Sequence, residues 1–433
     1  MQKAVLVRCA FIGCATGVMI AGCNSGLQSQ LPTGTAALRD IGGIHLRYDP
    51  LLRSSGRERV IHAFNGEDGW SPHAALLDVR GTLYGTTWLG AIHGGNGDGT
   101  VYKMTPSGQT TMLYQFHGPD GSNPAASLID VNGTLYGTTV YGGAYCGSAG
   151  CGTVFSITPS GTETVLHSFG SAGDGATLSS SLTNVGGTLY GTTLDGGTNG
   201  DGAVFSITPS GVEHVVYSFA GSPNGEHPDA TLINVNGRLY GTTASGGASG
   251  DGTVFSVSRS GRENVLHSFS GSPDGSEPAA ALTNVNGTLY GTTDGGGSGS
   301  CSYYGLTGCG TVFSIDLSGN EKVIYSFAGS ADGANPRGNL LNVSGTLYGT
   351  SAGGGSRCAY YERCGTVFSI TLSGNEQIVH RFKGGLNGHA DGSVPEGGLI
   401  DVRGRLYGAT GGGGANGCGY GSGGCGTVFR VTP

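Results

Sequence analysis

Thr134-Leu135-Tyr136-Gly137-Thr138-Thr139, followed by a glycine-rich run and then Gly152-Thr153-Val154-Phe155, is the stretch whose reading decides the fold. Both segments are rich in β-branched and aromatic residues and are bounded by turn residues, as short strands are. Around them four strands are predicted: a over Ala126 to Val131, b over Thr134 to Thr139, c over Thr153 to Thr158 and d over Thr164 to Phe169. Asn132-Gly133 joins a to b, and Ser160-Gly161 joins c to d. Asn-Gly suits a type I′ hairpin, in which both central residues need positive φ. It recurs at Asn236-Gly237 and Asn286-Gly287.

Outward from this copy, Leu-Tyr-Gly returns with its tyrosine at Tyr84, Tyr136, Tyr190, Tyr240, Tyr290, Tyr348 and Tyr407, at spacings of 50 to 59 residues. A unit of that size cannot bury its own apolar face and is stable only against its neighbours, as in a propeller or solenoid. Phase decides between them. The first strand of the repeat region, Arg59 to Phe64, has the character of d, and the last, Thr427 to Thr432, that of c. Seven whole blades result only if these two pair. The expected fold is therefore all-β: a seven-bladed β-propeller of four-stranded antiparallel blades over residues 58–433. Its ring is closed by the N-terminal d strand on the C-terminal c strand, which removes two exposed sheet edges.

Glycine supplies 88 of the 433 residues without a collagen period, so turns at regular intervals are expected and a helical protein is excluded. The formal net charge is −8 and no run of Lys or Arg offers a phosphate-binding surface, which disfavours nucleic acid as a partner. Residues 1–22 carry Lys3, Arg8 and an apolar run from Cys9 to Ile20, the pattern of a secretory signal. The run ends in Ile20-Ala21-Gly22-Cys23, which resembles the lipobox of bacterial lipoproteins. That resemblance implies acylation of Cys23, with residues 23–57 as lipidated Cys and tether. By the lipoprotein sorting pattern, Asn24 implies the outer membrane, on its periplasmic or cell-surface side. The chain is thus expected to be exported, to touch membrane through its lipid only, and to be a monomer.

Of the eleven cysteines, Cys9 and Cys14 leave with the signal and Cys23 takes lipid. The rest fall into four local pairs, Cys146/Cys151, Cys301/Cys309, Cys358/Cys364 and Cys418/Cys425, which read as small disulfide loops in an oxidising compartment. No CxxC pair or His cluster supports zinc, and no loop has the dense acidic spacing of a calcium site. Neither a metal nor another cofactor is expected.

LYGTT, a Gly-rich stretch, GTVF, and a d strand ending in Phe before DGxxPxA together resemble the choice-of-anchor tandem repeat proteins that bear the GloVer repeat. The resemblance covers residues 58–433. It implies a secreted or surface-anchored, kelch-like propeller and carries no catalytic residues with it.

Repetition within one chain separates scaffold from function: a side chain present in all seven copies is demanded by the blade. The LYG tyrosine, the GTVF aromatic and the d-strand phenylalanine recur sevenfold and are assigned to packing between sheets. A further d-strand slot alternates His62, Tyr114, His167, Tyr217, His267, Tyr325 and His380; interchange with Tyr, and separation around the rim, argue against metal there. Asp-Gly in the d-to-a loops reads as Asx turns. Length variation concentrates in the b-to-c loops, and the cysteine pairs sit in the long ones. The b-to-c and d-to-a loops emerge on one face, so the binding site is expected there, around the mouth of the central channel.

Residues that break the repeat on that face are Trp70, His73, Trp88 and His93, with Tyr141, Tyr145, Tyr303, Tyr304, Tyr360, Tyr361 and Tyr420 in the cystine loops. Flat rings on a polar face suit stacking on sugars or anchoring a protein, although packing over the disulfides would also account for them. The unrepeated titratable groups are His73, His93, Glu226, His227, Glu362, His389 and Glu396. No nucleophile elbow, phosphate loop or HExxH appears. The expected function is binding of a glycan or envelope protein, without chemistry. An envelope-assembly scaffold is a second reading, and a secreted polysaccharide lyase or hydrolase a third, whose structural sign would be acidic and His side chains at one mouth.

Overall fold

The computed structural model describes residues 58–90, 97–147, 150–171, 173–303, 306–329, 331–355, 364–384, 391–414 and 424–433. The signal, Cys23 and the tether fall outside them, as do His93, Tyr304, Tyr360, Tyr361, Tyr420, Glu362, His389, Cys358, Cys418 and the side chain of Tyr303.

Seven four-stranded antiparallel sheets form the propeller. In the second blade, a is Ile129–Val131, b Thr134–Thr139, c Thr153–Ile157 and d Glu163–Ser168. Strand a is shorter than expected because the residues before it bond to the neighbouring blade: Ala126 O accepts from Thr86 Oγ1 at 3.3 Å. Neighbouring a strands touch one another around the axis, as Leu77–Val79 does Ile129–Val131. The seventh sheet joins Arg59–Ala63 to Thr427–Val431, with Arg59 opposite Arg430 and Ala63 opposite Thr427. The N-terminal strand thus completes the last blade, as its phase required.

Two glycine positions of the repeat show their local cause. Asn132 and Gly133 stand at φ 55° and 86°, the conformation a type I′ turn needs. At Gly137 of the LYG element, a Cβ would lie 2.5 Å from Phe155 Cζ, so the glycine makes room for the aromatic ring of strand c.

Adjacent blades are held by two sevenfold devices. The first is an edge-to-face pair between each d-strand phenylalanine and the GTVF aromatic of the next blade, with centroids 5.0 Å apart for Phe116–Phe155 and 5.2 Å for Phe64–Tyr102 across the closing seam. Such a pair contributes about 0.5–1.5 kcal/mol beyond burial. The second is a backbone clasp in the d-to-a loop. Asn123 N donates to Asp98 O of the preceding blade at 2.7 Å, while Asn123 O accepts from Val140 N of its own blade at 3.2 Å. Ser71, Thr177, His227, Glu277, Asn335 and Val394 repeat it, all at positive φ. That conformation is unfavourable for β-branched Thr177 and Val394, so the clasp overrides local preference.

Cys146–Cys151 and Cys301–Cys309 are disulfide-bonded, with Cα atoms 5.6 and 4.9 Å apart. Cys364 and Cys425 are also in disulfides, and their partners fall outside the described residues.

Candidate functional site

The d-to-a and b-to-c loops do emerge together. Gly175–Ala176 pairs with Asp195–Gly196, Gly225–Glu226 with Ser245–Gly246, and Ser122 bridges Tyr141. Behind the mouth they frame lies a cavity of about 120 Å³, lined from all seven blades by residues that immediately precede strand a. Most of this lining is Ala, Ser and Gly; the exceptions include His73, Asp229, Asn339 and Glu396.

Three of these, His73, Asp229 and Glu396, share one position, which Arg337 takes in the sixth blade. The residue two after the clasp is His73, Ala125, Ser179, Asp229, Ala279, Arg337 and Glu396 in turn around the ring. The backbone is equivalent in every blade, so these differences are not required by the architecture. Four of the seven are charged or titratable, and three of those are joined. His73 Nδ1 lies 2.6 Å from Glu396 Oε2, and Arg337 Nη1 donates to Glu396 Oε1 at 3.1 Å. Arg337 also donates to Asp294 Oδ2 through Nε at 3.1 Å and Nη2 at 2.7 Å. The Asp294 carboxylate raises the Arg337 pKa further, so that guanidinium stays charged. Asp229 sits deep in the ring yet keeps part of its surface on the channel; burial raises its pKa, opposed by a hydrogen bond from Ser179 and the charges of Arg337 and His227.

On the other side, His73 Nε2 is 3.0 Å from Ser71 Oγ, which also lies 3.1 Å from Gly411 O. The His73 ring meets Trp88 edge-to-face at 5.9 Å, and Trp88 meets Tyr141 at 6.3 Å. An aromatic strip therefore runs from the channel mouth outward to Tyr141, which is exposed, as is Tyr145. Trp70 behaves differently: its ring packs on the core cluster of Phe64, Leu76 and Tyr102. Of the sequence candidates, the fold brings together His73, Trp88, Tyr141 and Glu396. His227 stands apart from them, with Nδ1 2.8 Å from Ser245 Oγ. Asp229, Arg337, Asp294 and Ser71 were not candidates; comparing the seven residues that follow the clasp would have revealed the first two.

A second constellation lies at the outer seams. The d-strand ring bonds the Asp of the following Asp-Gly, as in His62 to Asp68 at 2.7 Å and Tyr325 to Asp332 at 2.9 Å. These aspartates therefore do more than form Asx turns. The next blade adds a glutamate. In three seams the ligand atoms of a His, an Asp and a Glu all lie within 4.8 Å of one another: Glu58–His380–Asp391, His167–Asp174–Glu213 and His267–Asp274–Glu321. The expectation that rim rings stay apart holds between seams; within these seams, the His converges with two carboxyls. Burial, then the nearby Asp, pushes Glu58, Glu163, Glu213 and Glu376 up to about 7. Because Tyr114 and Tyr325 take the ring position in seams of the same build, this constellation belongs to the blade seam.

Fold and site define a seven-bladed propeller with one irregular, polar and aromatic mouth. The chain belongs to the Gloeobacter/Verrucomicrobia repeat family, whose model matches residues 39–233, 144–303 and 299–433. Among curated proteins, none matches the sequence. Solved structures resemble it distantly. A chain of the S. cerevisiae Dbp5 complex with Nup159 and Gle1 is 9% identical over 87% of this chain and 94% of its own, with a TM-score of 0.46. A luciferin-regenerating enzyme is 12% identical over 87% and 95%, with a TM-score of 0.41. An aldose sugar dehydrogenase from Streptomyces coelicolor is 14% identical over 87% and 98%, with a TM-score of 0.40.

Proposed function

We propose that this chain is an exported propeller, tethered to the outer membrane through acylated Cys23, that binds a saccharide at the mouth of its channel. The observation that carries the reading is the junction at His73 of an aromatic strip, Trp88 and Tyr141, with the polar groups Glu396, Arg337 and Asp229. A sugar ring offers an apolar C–H face and a hydroxyl edge. It is held best where a flat ring adjoins fixed donors and acceptors. The cavity of about 120 Å³ is too small for a whole oligosaccharide. The sugar therefore lies on the aromatic strip and sends one substituent into the channel. The disulfide Cys146–Cys151 closes the loop that follows Tyr141 and limits how far that platform can move.

A glycan array probed with the purified chain tests this. Trp88→Ala and Tyr141→Ala are each expected to weaken the strongest signal about tenfold, in line with a stacking contact of 1–2 kcal/mol. Absence of any glycan signal, or signals indifferent to both substitutions, would refute it.

A further inference from the structure

We infer that Ser71, His73 and Glu396 form a nucleophile–base–carboxylate relay that hydrolyses short-chain acyl esters; only the identity of the alcohol half, a saccharide, rests on the proposed function. The order of contacts is the one acyl transfer needs. Glu396 Oε2 on Nδ1 fixes the tautomer of His73, which leaves the Nε2 lone pair facing Ser71 Oγ at 3.0 Å. Arg337 holds the other carboxylate oxygen and is itself held by Asp294, so each group is oriented by the next.

The blade and its clasp require neither the hydroxyl nor the imidazole. At the same two slots, the second blade carries Asn123 and Ala125, and the fifth Glu277 and Ala279, with the clasp intact. The positive φ of Ser71 is common to all seven copies and is architectural. Gly411 is not. At the slot after strand b the other blades carry Trp88, Val140, Leu194, Ala244, Asp294 and Ala352. Gly411 is absent from the positive-φ residues, so its backbone does not demand glycine. A Cβ there would lie 3.2 Å from His73 Cε1 and 3.5 Å from Ser71 Oγ. A methyl there would press on the His73 ring more tightly than side chains ordinarily pack, so glycine at this slot leaves the Ser–His pair undisturbed.

In the reaction, Ser71 Oγ bonds to the acyl carbon while its proton passes to His73 Nε2. The tetrahedral intermediate collapses, the C–O bond to the alcohol breaks, and the alcohol leaves with the proton from His73. Water, deprotonated by His73, then attacks the acyl-serine, releasing the carboxylic acid and restoring the hydroxyl. The small Ala- and Ser-lined cavity beside His73 suits an acetyl-sized group.

The test uses the purified chain with p-nitrophenyl acetate and a fluorophosphonate probe. Expected are turnover above that of the heat-denatured protein and a single probe adduct on Ser71 in tandem mass spectra. Ser71→Asn introduces the residue native to this slot in the second and sixth blades, so folding is retained; it is expected to lose at least a hundredfold in kcat and all labelling. Glu396→Gln is expected to lower kcat more than tenfold with a shifted pH profile. No adduct and no turnover in the wild type, or turnover that survives Ser71→Asn, overturns the inference and leaves the network as a tie between the first and last blades. Since neither probe contains a sugar, esterase activity and the glycan array can fail independently.

Discussion

The seam glutamates predict an unusual pH profile. In the folded chain, burial and a neighbouring Asp raise Glu58, Glu163, Glu213 and Glu376 from 4.5 to about 7. The folded state therefore holds these protons more tightly than the unfolded state. Their contribution to stability is complete below about pH 4.5 and is lost as pH rises through about 7. A fully desolvated group shifted this far would account for about 3 kcal/mol. These carboxyls are only half-buried, and solvent screening reduces the expectation to on the order of 1 kcal/mol each, or about 4 kcal/mol for the four. At the acid end the sign reverses. Burial pushes Asp68 and Asp274 up, but hydrogen bonds from His62 and His267 overcome it, so both end below the usual range and their contribution disappears as pH falls through the lowered values. Urea unfolding followed by intrinsic fluorescence, at about pH 5 and about pH 8, is expected to show the larger stability at the lower pH with an unchanged m-value. Glu213→Gln, which mimics the protonated carboxyl, should add on the order of 1 kcal/mol near pH 8 and nothing near pH 5. Stability that is flat or rising over that interval, or a Glu213→Gln effect independent of pH, would refute the reasoning.

Two further outcomes concern the scaffold. Phe64→Ala empties a fully buried site on the closing seam and should cost about 3–5 kcal/mol in urea unfolding, with the Arg59–Ala63 strand becoming protease-sensitive; a loss below 1 kcal/mol would mean that the N-terminal strand is not integral. Gly137→Ala places a Cβ 2.5 Å from Phe155 Cζ and should cost about 1–3 kcal/mol, whereas Gly186→Ala, at φ 63° with nothing within 4 Å, should cost about 1. Equal losses at the two sites would show that the aromatic ring does not set the LYG glycine.

Most of the scaffold was legible because the sequence states it seven times. Strand phase alone required Arg59–Ala63 to pair with Thr427–Val431, since any other ending leaves two incomplete blades. The site was legible in part. His73 and Glu396 stood out as titratable residues without counterparts in other copies, but they are 323 residues apart and meet only through ring closure. Ser71 was missed because a serine in a Gly- and Pro-rich loop looks like ordinary turn chemistry. Arg337 and Asp229 are inconspicuous in the sequence because they vary in identity at a slot of constant length, whereas the visible irregularity of the repeat lies in loops of variable length. The glutamates beside the rim rings were invisible for another reason: each belongs to the next blade, about 46 residues on, as Glu213 is from His167.

The position of the mouth network at the closing seam invites a purely structural explanation, and magnitudes give it weight. Joining the ends of a chain of this length costs about 5 kcal/mol in loop-closure entropy, a cost that the other seams do not carry. The charge-assisted bond between His73 and Glu396 contributes about 1.5–3 kcal/mol, so it offsets part of that cost. Closure, however, is indifferent to the order of the partners: any complementary pair across the first and last blades would serve. The carboxylate on Nδ1 and the hydroxyl on Nε2 are requirements of proton transfer, not of adhesion. Ser71→Asn separates the two roles, because the backbone clasp from Ser71 N to Cys425 O at 2.8 Å does not involve the hydroxyl.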